Sequence, residues 1–251
     1  MSSRRDFVRG LVAAGSALAG CRVPTATSRG SVRLTARPGT PTNLLGPGLR
    51  PLGIGSSAHD GQLLVPQSLV PGTPLPLVLA LHGAGIGASG PITFLGPYAE
   101  SAGFLLLAPD SYGYTWDAIR GSAGPDVGFI DLALRYAFDR CLVDPARIVL
   151  EGFSDGASYA LTLGLANGDL FPRVVSFSPG FIPRSDSPRR GQPEFFVSHG
   201  RQDPVLPIDS ASRILVPFLQ REGYSVEYLE YDGVHSVPAT VAAAAVQWLV
   251  R

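Results

Sequence analysis

The sequence predicts an α/β fold built on a mostly parallel sheet. From about residue 60 to the C terminus, short apolar runs alternate with longer stretches of helical periodicity, a pattern typical of repeated βα units. The run at 76–81 is almost continuously apolar, as expected for a strand buried on both faces of a parallel sheet. Hydrophobic residues make up 45% of the chain and charged residues 16%, which excludes a disordered protein. We therefore expect a central sheet of about eight strands flanked by helices.

Size, charge and cysteine content narrow the class of protein. The chain has 251 residues, and the part after about residue 30 is large enough for one domain with a single core. The 20 basic residues, all arginine, balance 20 acidic residues, and no basic cluster beyond the N terminus suggests a nucleic-acid partner. Two cysteines and four scattered histidines give neither a disulfide framework nor metal-ligand spacing. No metal or cofactor is expected, and no protein partner is inferred.

The first 21 residues have the composition of an export signal. Arg4 and Arg5 lie in a basic head, and the apolar stretch of about ten residues that follows is too short to span a bilayer. Residues 3–9 resemble a twin-arginine signal, and residues 18–21 resemble a lipobox whose cysteine, Cys21, becomes the lipidated first residue. This resemblance implies a bacterial lipoprotein, exported to the periplasm or cell surface and attached to the membrane only by its lipid. A plain cleaved signal with an incidental cysteine is the alternative.

Residues 22–50 are predicted to form a flexible tether, because they are rich in Pro, Gly, Thr, Ser and Arg without a clear period. Residues 51–251 form the predicted folded domain, in which the stretch 179–193 is too short for a large lid. Its strands are expected at 62–66, 76–81, 104–108, 147–151, 173–178, 194–198 and 226–231. Its helices are expected at 92–102, 126–140, 157–164, 209–222 and 237–250. The inner face of the last helix is expected to carry Val241, Ala244, Ala245, Trp248 and Leu249.

A serine lies between two glycines at the end of the fourth predicted strand, in Gly152-Phe153-Ser154-Asp155-Gly156. This G-x-S-x-G pattern, placed between a strand and a helix, resembles the nucleophile elbow of the α/β-hydrolases. The resemblance implies that Ser154 is the nucleophile and that the N–H of Asp155 points at the substrate oxygen. Taken alone, the pentapeptide is also compatible with an ordinary glycine-rich turn.

Serine becomes a strong nucleophile only when an imidazole takes its proton and a carboxylate orients that imidazole. In α/β-hydrolases the chain order is serine, acid, histidine. His235 follows the last predicted strand, and Asp203 lies in an H-G-x-x-D-x-x-x-P stretch after the preceding strand, where members of this superfamily carry the acid. We therefore assign His235 as base and Asp203 as acid. The competing residues are Asp209 and the turn former Asp232 for the acid, while His199 is expected to be structural and His59 an exposed loop residue.

Two further loops are expected at the edge of the sheet where the parallel strands end, close to Ser154. His82-Gly83-Ala84-Gly85 follows the second predicted strand, and by resemblance to H-G-x esterases the N–H of Ala84, or failing that Gly83, completes an oxyanion hole with Asp155. The loop 109–125 carries the aromatic residues Tyr112, Tyr114 and Trp116. These side chains are candidates for binding the substrate, although packing within the loop explains them equally well.

Over residues 60–250 the chain resembles the esterase branches of the α/β-hydrolases, both the polyhydroxybutyrate-depolymerase-like and feruloyl-esterase-like proteins and the phospholipase/carboxylesterase group. The resemblance implies a serine hydrolase that cleaves small-molecule or oligomeric carboxylic esters through an acyl-enzyme. A thioesterase, a serine peptidase or a non-catalytic lipid-anchored binding protein are the alternatives. Asp155 departs from the family pattern, and a carboxylate there is expected to raise the pKa of the catalytic histidine or to disfavour anionic substrates.

Overall fold

The computed structural model describes residues 30–56 and 59–251. The predicted export signal and Cys21 lie outside the described residues. No helix in the described part of the chain is long and apolar enough to cross a membrane.

A single sheet of eight strands forms the centre of the domain, in the order β1-β2-β4-β3-β5-β6-β7-β8. The strands β1 and β2 run antiparallel to their neighbours, and β3 to β8 are parallel. The strands are β1 (Gly48–Pro51), β2 (Gly61–Val65), β3 (Leu75–Leu81), β4 (Leu105–Pro109), β5 (Val143–Phe153), β6 (Arg173–Phe177), β7 (Glu194–Gly200) and β8 (Val226–Tyr231). The predicted α/β class and the expected number of strands are confirmed.

In the described part of the chain, five α-helices cover the two faces of the sheet. They are α1 (Ser89–Ala102), α2 (Pro125–Arg140), α3 (Asp155–Ala166), α4 (Ser212–Arg221) and α5 (Ala239–Leu249). Buried residues of α2, α3 and α4 form one apolar core with the sheet, and those of α1 and α5 form the other. Burial on both faces explains why strands such as β3, which is buried along its whole length, are almost purely apolar in sequence.

Most helix boundaries lie within two residues of the prediction, but α1 and α4 differ more at their starts. The helix α1 begins at Ser89 rather than at 92. The helix α4 begins at Ser212 rather than at 209, because residues Ile208–Ser210 form a separate 3₁₀ turn. On α5 the buried positions include Ala242 and Val246, whereas Ala244 is only half-buried. The buried face of α5 is therefore wider than the predicted inner face.

The predicted tether is wrong over residues 30–50, which pack onto the domain. Val32, Leu34 and Ala36 are buried in the core formed with α2 and α3. The side chain of Asn167, at the end of α3, accepts from the Leu34 N–H and donates to the Val32 carbonyl. We call residues 30–37 the strap. It is ordered although its sequence is that of a linker, because alternate apolar residues are buried and its backbone groups form hydrogen bonds with side chains of the domain.

Parallel strands place their carboxyl ends along one edge of the sheet, and we call this the carboxyl edge. The loops that follow β3, β4, β5, β6, β7 and β8 all begin there. In sheets of this type ligands bind at that edge. Every residue proposed from the sequence as catalytic lies in one of these loops or at the start of the helix that follows it.

Candidate active site

The elbow holds Ser154 in a backbone conformation that side chains rarely adopt, with φ 58° and ψ −120°. Its N–H donates to the carbonyl of Phe177 at 2.9 Å, which fixes the turn against β6. A Cβ on Gly156 would overlap the Leu81 carbonyl, and one on Gly152 would overlap the Gly156 carbonyl. The two glycines are therefore required by close backbone approach. Strained backbone held by surrounding contacts is typical of functional sites.

The structure brings the three predicted triad residues together. The Nε2 atom of His235 lies 2.8 Å from the Ser154 hydroxyl oxygen, and its Nδ1 atom lies 2.6 Å from Oδ2 of Asp203. The ring of His235 also packs against Phe153 with centroids 4.9 Å apart. This arrangement lets the imidazole accept the serine proton at one nitrogen while it donates to the carboxylate at the other.

Asp203 is a fully partnered carboxylate. Its Oδ1 accepts from the N–H groups of Val205 and Leu206 at 2.8 and 2.9 Å, and its Oδ2 accepts from His235. Burial alone raises the pKa of Asp203, but the bonds from Leu206, His235 and Val205 outweigh it and hold the pKa below its ordinary value. The acid is therefore ionised at neutral pH, as an orienting carboxylate must be.

A second histidine supports the acid from below. His199 is fully buried, and its Nε2 lies 2.8 Å from the Leu206 carbonyl and 3.2 Å from Oδ2 of Asp203. Its Nδ1 accepts from the Ser212 hydroxyl at 2.6 Å. Burial lowers the pKa of His199, so the ring is neutral and acts as a fixed donor. The structure places it where the sequence suggests a structural histidine, under the acid loop.

The competing acids lie elsewhere. Asp209 pairs with Arg213 at 2.7 Å, and Asp232 pairs with Arg201 at 2.8 Å. Both carboxyl groups are largely exposed. The geometry thus favours Asp203 over both alternatives.

The loop after β3 lies directly against the nucleophile. A Cβ on Gly83 would come within 3.3 Å of the Ser154 Cβ. Among the described residues, no acceptor pairs with the N–H of Ala84 or with the N–H of Asp155 at the start of α3. Free N–H groups at a helix N-terminus and in a glycine-rich loop are suited to hold a developing oxyanion.

Two residues that were given no role of their own from the sequence, His82 and Asp126, hold this loop in place. The Nε2 atom of His82 accepts from the Ser111 N–H at 3.0 Å, so its Nδ1 donates to the Gly83 carbonyl at 2.8 Å. Burial lowers the pKa of His82, so the ring stays neutral, with Nε2 as acceptor and Nδ1 as donor. Asp126 is fully buried and accepts from the N–H groups of Tyr112 and Asp117. Apart from the one between His82 and Gly83, these hydrogen bonds join residues that are distant in sequence, so no local sequence pattern predicts them.

The three aromatic candidates have different environments. Trp116 is fully buried, and its Nε1 donates to the His82 carbonyl at 2.8 Å. The prediction that Trp116 binds substrate is therefore wrong, because its ring is enclosed between His82 and Tyr159. Tyr112 and Tyr114 are exposed at the carboxyl edge. Tyr112 also packs against His59 with ring centroids 4.1 Å apart.

The unusual residue beside the nucleophile, Asp155, is tied to the aromatic loop. Its Oδ2 accepts from the Thr115 hydroxyl at 2.6 Å. The side chain therefore joins the start of α3 to the loop after β4. Its predicted effect on the pKa of His235 stays a prediction.

Two cavities flank the loop 82–87. The smaller, about 220 Å³, borders His235 and is lined mainly by apolar groups; these include Ile86, Pro91, Phe94, Phe153 and Val237. The larger, about 520 Å³, lies on the other side of the loop and includes polar groups; these include Asp60, Gln62, Ser89, Asp110 and Ser111. Both cavities share His82 and Ile86. Across residues 30–56 and 59–251, no group of three or more His, Cys, Asp or Glu side chains is arranged to hold a metal ion.

Comparison with known proteins places this chain's fold among the α/β-hydrolases. A sequence model of the phospholipase/carboxylesterase family matches residues 128–249. Feruloyl esterase C of Emericella nidulans is 28% identical over 169 residues, which cover 64% of this chain and 61% of that protein. The chain thus spans less than two thirds of the length of this relative.

Solved structures share the same fold. Esterase PE8 superposes with a TM-score of 0.62 at 22% identity, covering 76% of this chain and 97% of its own. S-formylglutathione hydrolase from Staphylococcus aureus gives 0.65 at 15% identity, covering 84% and 100%. A ferulic acid esterase from Anaeromyces mucronatus gives 0.59 at 16% identity, covering 84% and 93%. These likenesses show that the chain has the α/β-hydrolase fold.

Proposed function

We propose that this protein is a carboxylic-ester hydrolase that works through an acyl-enzyme on Ser154. The observation that carries the proposal is the continuous chain of hydrogen bonds from Ser154 through His235 to Asp203. A binding protein on the same scaffold has no need of a strained serine aligned with an imidazole and a buried carboxylate.

The proposed reaction has two symmetrical halves. His235 takes the Ser154 proton at Nε2 while Oγ attacks the ester carbonyl, and the resulting oxyanion is held by the N–H groups of Ala84 and Asp155. Collapse breaks the bond to the alcohol, which leaves with the proton from His235. Water then attacks the acyl-enzyme by the same route and releases the acid. Loss of one oxyanion donor typically costs about 3 kcal/mol, a rate factor of roughly a hundred.

We propose the apolar cavity beside His235 as the acyl pocket. Phe94 and Phe153 line it, so it is suited to a short aliphatic or a single-ring aromatic acyl group. At about 220 Å³ it is smaller than the pockets of about 300–1,000 Å³ that hold drug-sized ligands. We expect activity to fall steeply for acyl chains longer than this cavity accommodates. Feruloyl esters fall within the proposed class because of the similarity to feruloyl esterase C.

The test is hydrolysis of p-nitrophenyl esters of increasing acyl length, together with methyl ferulate and hydroxybutyrate oligomers, by the wild type and by Ser154→Ala. We expect turnover of short-chain or aromatic esters that is lost in the variant. A matched control is Ser178→Ala, because Ser178 also has a positive φ, 52°, but makes no contact with His235. A folded wild type that hydrolyses none of these esters, or a Ser154→Ala variant with full activity, overturns the proposal.

We further propose that the protein is exported and held at the membrane by a lipid on Cys21. The support is the order of basic head, apolar stretch and cysteine in the first 21 residues. Fractionation of cells that express the full chain tests this directly. The wild type is expected in the membrane fraction and Cys21→Ala in the soluble extracytoplasmic fraction; equal fractionation of the two contradicts it.

A further inference from the structure

The two proposed oxyanion donors lie on different segments of the chain. Ala84 follows β3 and Asp155 follows β5, and these neighbouring strands are paired up to Leu81 and Gly152. The pairing fixes where both segments leave the sheet, but Ala84 lies three residues beyond the end of β3. Donors stabilise a transition state only when they are already aimed at the position of the developing oxyanion. The distance between the two N–H groups therefore needs a further constraint.

A segment of the loop after β4, residues 111–117, contacts both donor segments, and we call it the brace. Two of its hydrogen bonds lie on either side of the first donor. The His82 carbonyl accepts from Nε1 of Trp116 at 2.8 Å, and the Gly85 N–H donates to the Tyr114 carbonyl at 2.7 Å. The brace therefore holds the loop after β3 both before and after its donor.

The brace also fixes the orientation of the peptide group that carries the Ala84 N–H. The carbonyl of that peptide, which belongs to Gly83, accepts from Nδ1 of His82 at 2.8 Å. The ring has this tautomer because its Nε2 accepts from the N–H of Ser111, the first residue of the brace, at 3.0 Å. A trans peptide is planar and its N–H points away from its carbonyl. A fixed Gly83 carbonyl therefore directs the Ala84 N–H the other way.

Thr115 joins the brace to the second donor. Its hydroxyl donates to Oδ2 of Asp155 at 2.6 Å, and Asp155 is the first residue of α3. The brace is itself anchored in the domain by Asp126, which is fully buried and accepts from the N–H groups of Tyr112 and Asp117 at 2.7 and 2.6 Å. One anchored segment thus contacts both sides of the oxyanion hole.

We propose that Thr115 is a positioning residue of the oxyanion hole, because its bond to Asp155 holds the second donor at a fixed distance from the first. The inference rests on the proposed esterase mechanism. It also gives the Asp155 side chain, which departs from the family pattern, a role as hydrogen-bond acceptor. A displacement of about 1 Å in a reacting geometry can cost about a hundredfold in rate. Loss of this one bond is expected to cost about tenfold in kcat.

Removal of the Thr115 hydroxyl tests this role. Thr115→Val removes the donor with little change in shape, and Thr115→Ser keeps it. The matched control is Thr162→Val, since Thr115 and Thr162 are 9% and 4% exposed. The Thr162 hydroxyl also ties α3 to a loop, because it donates to the Pro183 carbonyl at 2.7 Å. That loop follows β6 and carries neither donor.

The readouts are kcat and KM on a p-nitrophenyl ester, and the inhibition constant of a trifluoromethyl ketone with the same acyl group. The ketone forms a tetrahedral adduct with Ser154, and the adduct carries an oxyanion like that of the transition state. Thr115→Val is expected to lower kcat about tenfold and to weaken the inhibition by a similar factor, while KM changes less than about twofold. Thr115→Ser is expected to retain most of the wild-type kcat. Thr162→Val is expected to retain all of it, although urea unfolding shows a similar loss of stability.

A second variant removes the same bond from the other side. Asp155→Ala keeps the backbone N–H but removes the acceptor of the Thr115 hydroxyl. On the plateau of the pH profile, the double variant Thr115→Val/Asp155→Ala is expected to be no slower than the slower single variant, because the two changes break one bond.

The outcomes separate this inference from the esterase proposal. An active wild type in which Thr115→Val leaves kcat and the inhibition constant unchanged overturns the inference alone. The same holds if Thr162→Val or Thr115→Ser is as slow as Thr115→Val, or if the losses of the single variants multiply in the double variant. A folded wild type that hydrolyses no ester refutes the esterase proposal and this inference with it. Circular dichroism of each variant establishes that it is folded.

Discussion

Two buried carboxyl groups next to the same site are treated in opposite ways. Both oxygens of Asp203 accept hydrogen bonds, and its pKa is lowered. Glu151 lies on β5, one residue before the elbow, with Ala80 and Val175 beside it on the neighbouring strands. Neither of its oxygens has a partner among the described residues, and complete burial raises its pKa well above the ordinary value.

The difference between Asp203 and Glu151 shows which buried carboxyl group the fold keeps ionised. An ionised carboxylate in the interior needs donors on both oxygens. The acid loop and His235 supply them to Asp203, whereas the residues around Glu151 supply none. Glu151 is consequently a neutral acid within the apolar core that includes Val149 and Val175. The single negative charge in direct contact with His235 is therefore that of Asp203, although two buried acids lie beneath the site.

The largest expected effect comes from exchanging each acid for its amide. Asp203→Asn should lower kcat/KM by about 10³- to 10⁴-fold, because the amide no longer fixes the imidazole tautomer. Glu151→Gln should leave kcat/KM within a factor of about two, since ΔΔG values on the order of 0.4 kcal/mol correspond to that factor. Steady-state kinetics on a p-nitrophenyl ester measures both. A similar loss of kcat/KM in the two variants would contradict the different roles assigned to Asp203 and Glu151.

The second effect concerns stability. Glu151→Met removes two unsatisfied polar atoms and keeps a similar volume, so the free energy of unfolding should rise by about 1–3 kcal/mol. Asp203→Leu should lower it, because the N–H groups of Val205 and Leu206 lose their acceptor. Urea unfolding of the two variants and the wild type provides the comparison. A Glu151→Met variant that is less stable than the wild type would show that the Glu151 carboxyl group has a hydrogen-bond partner in the folded protein.

The third effect is a pH dependence of stability with opposite signs for the two acids. Glu151 has a folded pKa above its ordinary value of 4.5, so its stabilising contribution is present below that pH and declines as pH rises towards the folded pKa. Asp203 has a folded pKa below 3.8, so its contribution is present above 3.8 and is lost as pH falls through the folded pKa.

Chemical unfolding of the wild type and Glu151→Gln at several pH values isolates the Glu151 contribution. The difference between their free energies of unfolding should change with pH above 4.5, by at most about 1.4 kcal/mol per pH unit. A difference that stays constant from acid to neutral pH would show that Glu151 titrates normally.

The smallest effect tests the carboxylate beside the nucleophile. Asp155→Asn removes a negative charge from the residue beside the nucleophile, so the acidic limb of the kcat/KM profile should move to lower pH. Thr115→Val is the control, because it removes the hydrogen bond to Asp155 but keeps the charge. An acidic limb that moves equally in both variants would assign the effect to loop position and not to charge.

The sequence was sufficient for the features that depend on local pattern or spacing. The strand–turn–helix at Ser154 and the positions of Asp203 and His235 after β7 and β8 follow from apolar runs and their order. The geometry that brings these residues within hydrogen-bond distance agrees with that order.

Features that depend on tertiary partners could not be predicted in this way. The strand β1 has four residues, and its apolar residue Leu49 is on the exposed side, so its sequence gives no sign of a strand with a buried apolar face. The strap 30–37 has the composition of a linker, and its order comes from Asp131 and Asn167, about a hundred residues away. The burial of Trp116 depends likewise on the carbonyl of His82. For the strap and for Trp116, the partner is distant in sequence, and no local pattern near either one indicates it.

The most direct test of the central claim is covalent labelling of the full chain by a fluorophosphonate probe, with the modified residue identified by mass spectrometry. The account predicts one adduct on Ser154, no labelling of Ser154→Ala, and strongly reduced labelling of His235→Ala and Asp203→Asn, while Glu151→Gln labels like the wild type. A folded wild type that is not labelled, or an adduct on another serine that persists in Ser154→Ala, would contradict it.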